Sequence, residues 1–453
     1  MDFEGRRRHL LIGALACSAV AMLGREGAVT TAAATTTASD APLTPLEQAC
    51  RDFYLYGLAA LEMARARERT MGPQANVFRH VRALATAASR RVTTPNNDTL
   101  YSSAWIDLRG GAVEIAVPET GRRYFSLALL DMHSNNFHIV GTRLTNGKAH
   151  RIRLIPPNAT PAVGEVRAPT WWVWAQGRTL VDSLTDLPAA HAVQDALGLF
   201  APSTSSQPAP PTMSANSAAA VAQFAAIAQL LDTEATPARA DYELLARLRA
   251  QGLSASALAA ADQRLHDACE RGLTAARAEI RRVIDAAPLV DGWIYARPSI
   301  GDFGTDYLYR ASTAVWGLAA LPMSEAIYVR AAGPGPQASF DGTRTHSIRF
   351  DRDRLPPVSA FWSLSLYELL PSGELFFFDN PLQRYAIGDR TPGLAYGTDG
   401  SLEIHMAATD PGEARRSNWL PCPRGPFVLL LRAYLPTPAF ADGRYRVPAV
   451  RPV

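Results

Sequence analysis

At Pro95 the hydrophobic period of this chain changes, and that change constrains its fold more than any other feature. Before it, Leu46, Ala49, Phe53, Tyr56, Ala60 and Met63 recur at alternating steps of three and four, the spacing of one helix face. Thr44, with Glu47 three residues on, makes a capping box at the start of that helix. Gly72-Pro73 breaks the pattern, and the run from Val77 through Leu84 to Ser89 predicts a second helix. After Pro95 the apolar residues alternate, and strands are expected at 103–108, 112–117, 124–130, 137–141, 150–155 and 171–175. Gly110-Gly111, Glu119-Thr120-Gly121 and Asn146-Gly147 supply turn chemistry between them, the last as a hairpin signal. Strands of this length and spacing predict an antiparallel sandwich.

Beyond it, residues 178–200 read as a short strand followed by a helix beginning after Pro188. Residues 201–215 (APSTSSQPAPPTMSA) have little to bury and read as a linker. Apolar stripes through Val221, Phe224, Ile227 and Leu231, then Tyr242, Leu245 and Leu248, then Leu258, Leu265 and Cys269, predict a helical unit over 216–290, with Ser254 as a cap. From 291 to 453 period-two runs return between Gly and Pro, at 325–331, 346–350, 359–368, 375–378, 401–406 and 427–434. They predict a second sandwich, a jelly roll. The expected organisation is a leader over 1–39, helices plus sandwich over 40–200, the linker, the helical unit and the C-terminal β-domain.

A chain of 453 residues is too long for one core. Apolar residues at 47% and charged residues at 19% suit packed domains rather than disorder. A net charge of +3 gives no footprint for nucleic acid or an anionic membrane. Arg6, Arg7 and Arg8 precede a short apolar run, Leu10 to Leu23, so an export leader resembling the twin-arginine type is expected. Cys17 sits in that run without the Leu that a lipid-attachment motif would place at Ala14. Export implies a periplasmic or secreted protein, with no stable membrane insertion once the leader is removed. Cys50, Cys269 and Cys422 are an odd number, so at most one disulfide forms.

The candidate chemistry sits in polar clusters that interrupt apolar strands. Asn96, Asn97 and Asp98, followed by Tyr101, could grip a polar ligand, with Asp98 as general base; alternatively they cap a turn. Asp131, His133, Asn135 and Asn136 form a second cluster. A metal there would need Asp131, His133 and a third ligand such as His346 or His405. Arg143 and Arg178 end strand-like runs as carboxylate clamps, or pair structurally with Asp107 or Asp182. Trp362, Tyr367, Arg384 and Tyr385 form a polar-aromatic set in the C-terminal part, where Arg384 and Asp389 are near enough to pair. No GxSxG elbow, Walker loop, HExxH or dinucleotide fingerprint occurs.

The stretches TPNNDTLYSSAWIDLRGG, DMHSNNFHIVGTR and APTWWVWAQGRTLVDSLTDLPAAHAVQ resemble the bacterial domain of unknown function 1254. RFDRDRLPPVSAFWSLSLYE, DNPLQRYAIGDR, TDGSLEIHM and NWLPCPRGPFVLLLRAYLPTP resemble its partner, the domain of unknown function 1214. The resemblance implies a multi-domain, mainly β protein: an immunoglobulin-like sandwich, a helical segment and a C-terminal jelly roll. It implies no activity. From the residues, the expected function is binding, with hydrolysis or lysis as the catalytic form, of a small polar or carbohydrate-like ligand. Asp98 or Asp131 would act with His133, Tyr101 would orient, Arg143 would stabilise charge, and no cofactor is required. The rival readings are an envelope structural or assembly protein and a metal-dependent enzyme; homo-oligomerisation stays open.

Overall fold

A computed structural model describes residues 41–71, 74–202, 219–331, 333 and 338–453. The expected leader, the Gly72-Pro73 break and all but the first two residues of the Pro/Ser-rich linker lie outside the described residues.

The first helix, Pro45–Thr70, begins with the anticipated capping box: the Thr44 amide donates to Glu47 Oε2 at 2.7 Å and the Glu47 amide to Thr44 Oγ1 at 3.4 Å. It is buried on nearly every side. Helices Ala220–Thr233, Gln263–Asp285 and Tyr307–Trp316 all pack on it, so it is the centre of the helical layer. Two glycines permit this. A Cβ at Gly57 would meet Ile227 Cγ2 at 2.1 Å, and one at Gly272 would meet Cys50 Cβ at 2.4 Å. At that crossing the Cys50 and Cys269 thiols lie 3.9 Å apart, unbridged.

The second helix expected over 77–89 is not formed. Arg79–His80 is instead an edge strand paired with Ser103 and Ser102. The Arg79 guanidinium donates to the Met71 carbonyl at 2.7 Å and His80 Nδ1 lies 2.9 Å from Ser102 Oγ. Sheet pairing and these anchors outweigh a weak helical spacing.

The first β-domain is the expected sandwich. Its five-stranded sheet runs Arg79–His80, Thr99–Asp107, Trp172–Leu180, Phe125–Leu130, Asn136–Gly141; its four-stranded sheet runs Glu165–Arg167, His150–Ile155, Val113–Val117, Gly198–Phe200. Ala104, Ile106, Ile115, Phe125, Leu127, Leu129 and Val173 fill the space between. Asn146-Gly147 does not make a hairpin. The strands on either side belong to different sheets, and these residues close a helical turn, Thr142–Thr145, in the left-handed conformation.

Period two puts a second set of side chains on the outer face of the five-stranded sheet. Tyr101 pairs with Arg178 and Arg178 with Ser126, while Trp105 pairs with Trp174 and stacks on it at 4.9 Å between ring centres. This face is covered by the helical layer and by the second β-domain.

That second domain packs an eight-stranded sheet, built around Ala326–Ala331, Pro426–Pro436 and Val358–Leu369, against a four-stranded one containing His346–Phe350 and Leu402–Ala407. Ile327, Val329, Trp362, Leu364, Leu429, Leu431 and Ala433 point into its core. The alternate residues face the other way. Tyr328 pairs with Arg432 and Arg432 with Ser363; Ala326 pairs with Tyr434 and Tyr434 with Phe361. The chain is therefore multi-domain and mainly β, with a helical layer bridging two sandwiches. No described helix is long and apolar enough to cross a membrane.

Candidate functional site

The outer faces of the two large sheets meet over a cavity of about 80 Å³, room for a few water molecules or a small organic molecule. The first sandwich contributes Asn96, Tyr101 and Arg178; the second contributes Ala326, Tyr328, Leu430 and Arg432. Further wall comes from Thr94, Ala296, Ile300, Trp316, Ala320 and Met323. Its lining is polar at the sheet end and apolar at the helix end, and among the described residues it offers no carboxylate, imidazole or thiol.

The polar end is built from residues far apart in sequence. The Asn96 amide donates to the Tyr434 hydroxyl at 2.8 Å and to Thr99 Oγ1 at 3.2 Å, and its carbonyl oxygen accepts from the Asp98 amide at 2.7 Å. Tyr328 and Tyr434 hydroxyls lie 3.4 Å apart. Tyr124 donates to Glu325 at 2.9 Å, and Glu325 also accepts from Arg143 at 2.9 Å. Burial first, then the Glu325 charge, raises the Tyr124 phenol well above its usual value; burial likewise raises Tyr328 and Tyr434. These phenols are therefore neutral donors at physiological pH.

Two guanidiniums sit among them. Arg432 donates to Ser365 Oγ at 2.8 Å and to the Thr94 carbonyl at 3.0 Å, all neutral acceptors. Arg178 is 3% exposed, and its Nε and Nη1 have no hydrogen-bond partner among the described residues. Its nearest aromatic companion is Tyr101, whose ring centre lies 5.4 Å from Cζ. A permanently charged group in such a place carries a desolvation cost of several kcal/mol that a structural ion pair would ordinarily offset. Here none does.

The two polar clusters proposed from the sequence are not brought together. Thr99 and Leu130 pair with opposite ends of the central strand Trp172–Leu180, opposite Leu180 and Trp174 respectively, so Asp98 and Asp131 lie at opposite edges of the sheet. Of the catalytic set Asp98, Asp131, His133, Tyr101 and Arg143, only Tyr101 lines the cavity. Asp131, His133 and Asn135 are also not on a strand. They form the turn between Phe125–Leu130 and Asn136–Gly141, where Asp131 Oδ1 accepts from the His133 and Asn135 amides at 2.9 Å. His133 is buried against Tyr56, with Nε2 3.3 Å from the Thr236 carbonyl, and burial lowers its pKa, with the Arg310 charge adding to the effect.

Asp98 is held by Arg390 and Ser363, and Asn97 donates to the Ala85 carbonyl at 3.4 Å. Asn136 donates to the carbonyls of Gly301 and Ala320, so it positions the cavity wall without lining it. Arg143 pairs with Glu325 rather than with Asp107 or Asp182.

In the second sandwich, Trp362 is a core residue, and Tyr367 donates to the Pro95 carbonyl at 2.8 Å while its ring stacks on Phe377, which stacks in turn on Tyr385. Arg384 does not pair with Asp389; it donates to the carbonyls of Ser417 and Trp419. His346 and His405 lie on neighbouring strands of the far sheet of this domain, and no group of three or more His, Cys, Asp or Glu able to hold a metal occurs among the described residues. Sequence reasoning passed over Arg432, Tyr328 and Tyr434. The available signal was an arginine and a tyrosine two apart inside an otherwise apolar strand, Pro426–Pro436.

Comparison with known proteins follows the same division. The family described as "Protein of unknown function (DUF1254)" matches residues 75–200, the first sandwich, and "Protein of unknown function (DUF1214)" matches residues 325–438, in the second. The VPA0106 protein from Vibrio parahaemolyticus shares the fold, with a TM-score of 0.68 at 21% identity over 90% of this chain and 100% of that one. An uncharacterised protein from Burkholderia cenocepacia aligns with a TM-score of 0.45 at 15% identity, over 92% of this chain and 91% of that one. No curated protein matches the chain. The chain therefore carries a region that matches the DUF1254 family, followed by one that matches the DUF1214 family.

Proposed function

We propose that this protein binds a small organic molecule in the cavity between its two sandwiches. One observation carries the reading: one cavity takes its wall from both β-domains and from Trp316, at the end of the helix Tyr307–Trp316. Cavities at domain junctions, mostly apolar with a few convergent polar groups, are the usual form of small-molecule sites. The lining described above lacks an ordinary general base or nucleophile, which favours binding over hydrolysis or lysis. The N-terminal Arg6 to Leu23 pattern supports a place of action outside the cytoplasm, which cell fractionation of a C-terminally tagged chain tests.

The test of binding is a thermal-shift screen of the full chain with small polar, anionic and apolar molecules, run beside Ala320→Leu, which adds bulk to the cavity wall. Compounds that raise the melting temperature of the wild type should lose that effect in the variant, with unchanged circular dichroism. Equal shifts in both proteins would place binding elsewhere and end the proposal.

A further inference from the structure

We infer that the ligand of this cavity is an organic carboxylate with a compact apolar body, its carboxylate received by Arg178. The inference rests on the cavity being a binding site and adds the chemical class of what enters it.

Three observations combine. Arg178 is fully enclosed, lines the cavity, and has no hydrogen-bonding partner on Nε or Nη1 among the described residues. Arg432, in the facing sheet, is 4% exposed and meets only neutral oxygens through its guanidinium. The other polar side chains on the wall, Thr94, Asn96, Tyr101 and Tyr328, include no acid. Elsewhere in this protein one buried arginine, Arg310, rests on the Tyr56 carbonyl at 2.8 Å, and others are given acids. Arg67 meets Glu234 at 2.7 Å, and the half-buried Arg123 meets Asp186. Among the described residues no carboxylate lies within ion-pair distance of Arg178. A buried cation without a counter-charge is a poor structural device and a good anion receptor, because the ligand supplies the missing partner in a low-dielectric site.

The rest of the wall decides the class of anion. Ala296, Ile300, Leu321, Met323 and Ala326 offer dispersion contacts and no side-chain donors to a second charged group. A planar carboxylate with a short aliphatic body satisfies both ends and suits a cavity of about 80 Å³. Inorganic phosphate satisfies only one, and its dianion would leave unpaired oxygens against apolar carbon.

The experiment measures melting temperature and calorimetric affinity of the full chain with propionate and butyrate, with the matching neutral amides, and with inorganic phosphate. Three proteins are compared: wild type, Arg178→Lys and Arg178→Met. The carboxylates should bind wild type at least roughly tenfold more tightly than their amides, and Arg178→Met should lose that preference. Arg178→Lys should keep part of it. Ligand-free Arg178→Met should melt at or above the wild-type temperature, since it removes an unpaired buried charge. A structural arginine would show the opposite, and a lower melting temperature would count against the inference. Amides binding as well as carboxylates, or phosphate binding in their place, would overturn the carboxylate assignment while leaving the cavity as a site. If no carboxylate binds, the inference fails; the Ala320→Leu comparison then reports separately whether the cavity binds anything.

Discussion

Asp98 of the first sandwich and Arg390 of the second form an ion pair of 2.8 Å whose carboxylate side is only 6% exposed. The other Asp98 oxygen accepts from Ser363 Oγ at 2.6 Å, and the Arg390 guanidinium lies 4.5 Å over the Phe361 ring. The residue that sequence reasoning offered as a general base is a fastener between domains. It sits one strand-end away from the cavity, and it pins the loop carrying Asn96.

Removing the fastener has a predictable cost. Asp98→Asn leaves Arg390 facing a neutral amide and should lower unfolding free energy by about 2 kcal/mol, below the range for fully buried pairs because Arg390 is partly solvated. Ser363→Ala should cost about 1 kcal/mol. Urea unfolding of the three proteins checks this. An Asp98→Asn midpoint equal to wild type would mean that the pair contributes nothing.

The helical layer gives a prediction of opposite logic. Alanine is a better helix former than glycine by about 1 kcal/mol, so Gly272→Ala in the helix Gln263–Asp285 should stabilise on local grounds. Yet its Cβ would lie 2.4 Å from Cys50 Cβ and 2.8 Å from the Arg51 amide nitrogen, atoms that cannot rotate away. Overpacking should win, with a net loss of about 1–3 kcal/mol. Thermal unfolding would decide; a stabilised variant would show that the two helices part freely.

Acid should weaken the fold through its histidines. Burial, reinforced by the Arg82 charge, lowers His80 to about 4, below the 6.5 of the unfolded chain. The fold therefore prefers neutral His80, and this contribution is complete above about pH 6.5 and is lost as pH falls towards 4. Burial also lowers His133, His138, His346 and His405, so their losses fall in the acid range as well. Stability measured from pH 7 down to pH 4 should decline, and His80→Gln should flatten the slope over that range. A slope unchanged by the substitution would remove His80 from the account.

Much of the architecture was legible because it is written locally. The capping box at Thr44 and Glu47, the cap at Ser254 and the period-two runs need only neighbouring residues, and most expected strands formed within a few positions of their predicted bounds. The failures share one cause. Within residues 77–89, Arg79–His80 became an edge strand because Ser102 and Ser103 were there to pair with, and Asn146-Gly147 closed a helical turn because the strands it joins belong to different sheets. The Asp131 cluster, which the sequence offered as a candidate site, proved to be a turn satisfied by its own amides.

By itself the sequence determined the alternation that gives each large sheet an apolar inner face and a mixed outer one, since side-chain direction follows from backbone period alone. Tertiary structure alone decided what the outer faces mean. Asp98, Arg143 and Arg178 look equally capable of binding in the sequence; folding gives Asp98 to Arg390, gives Arg143 to Glu325 and leaves Arg178 without an acid. A charge becomes structural or available according to whether a partner hundreds of residues away arrives beside it, and no local pattern encodes that meeting.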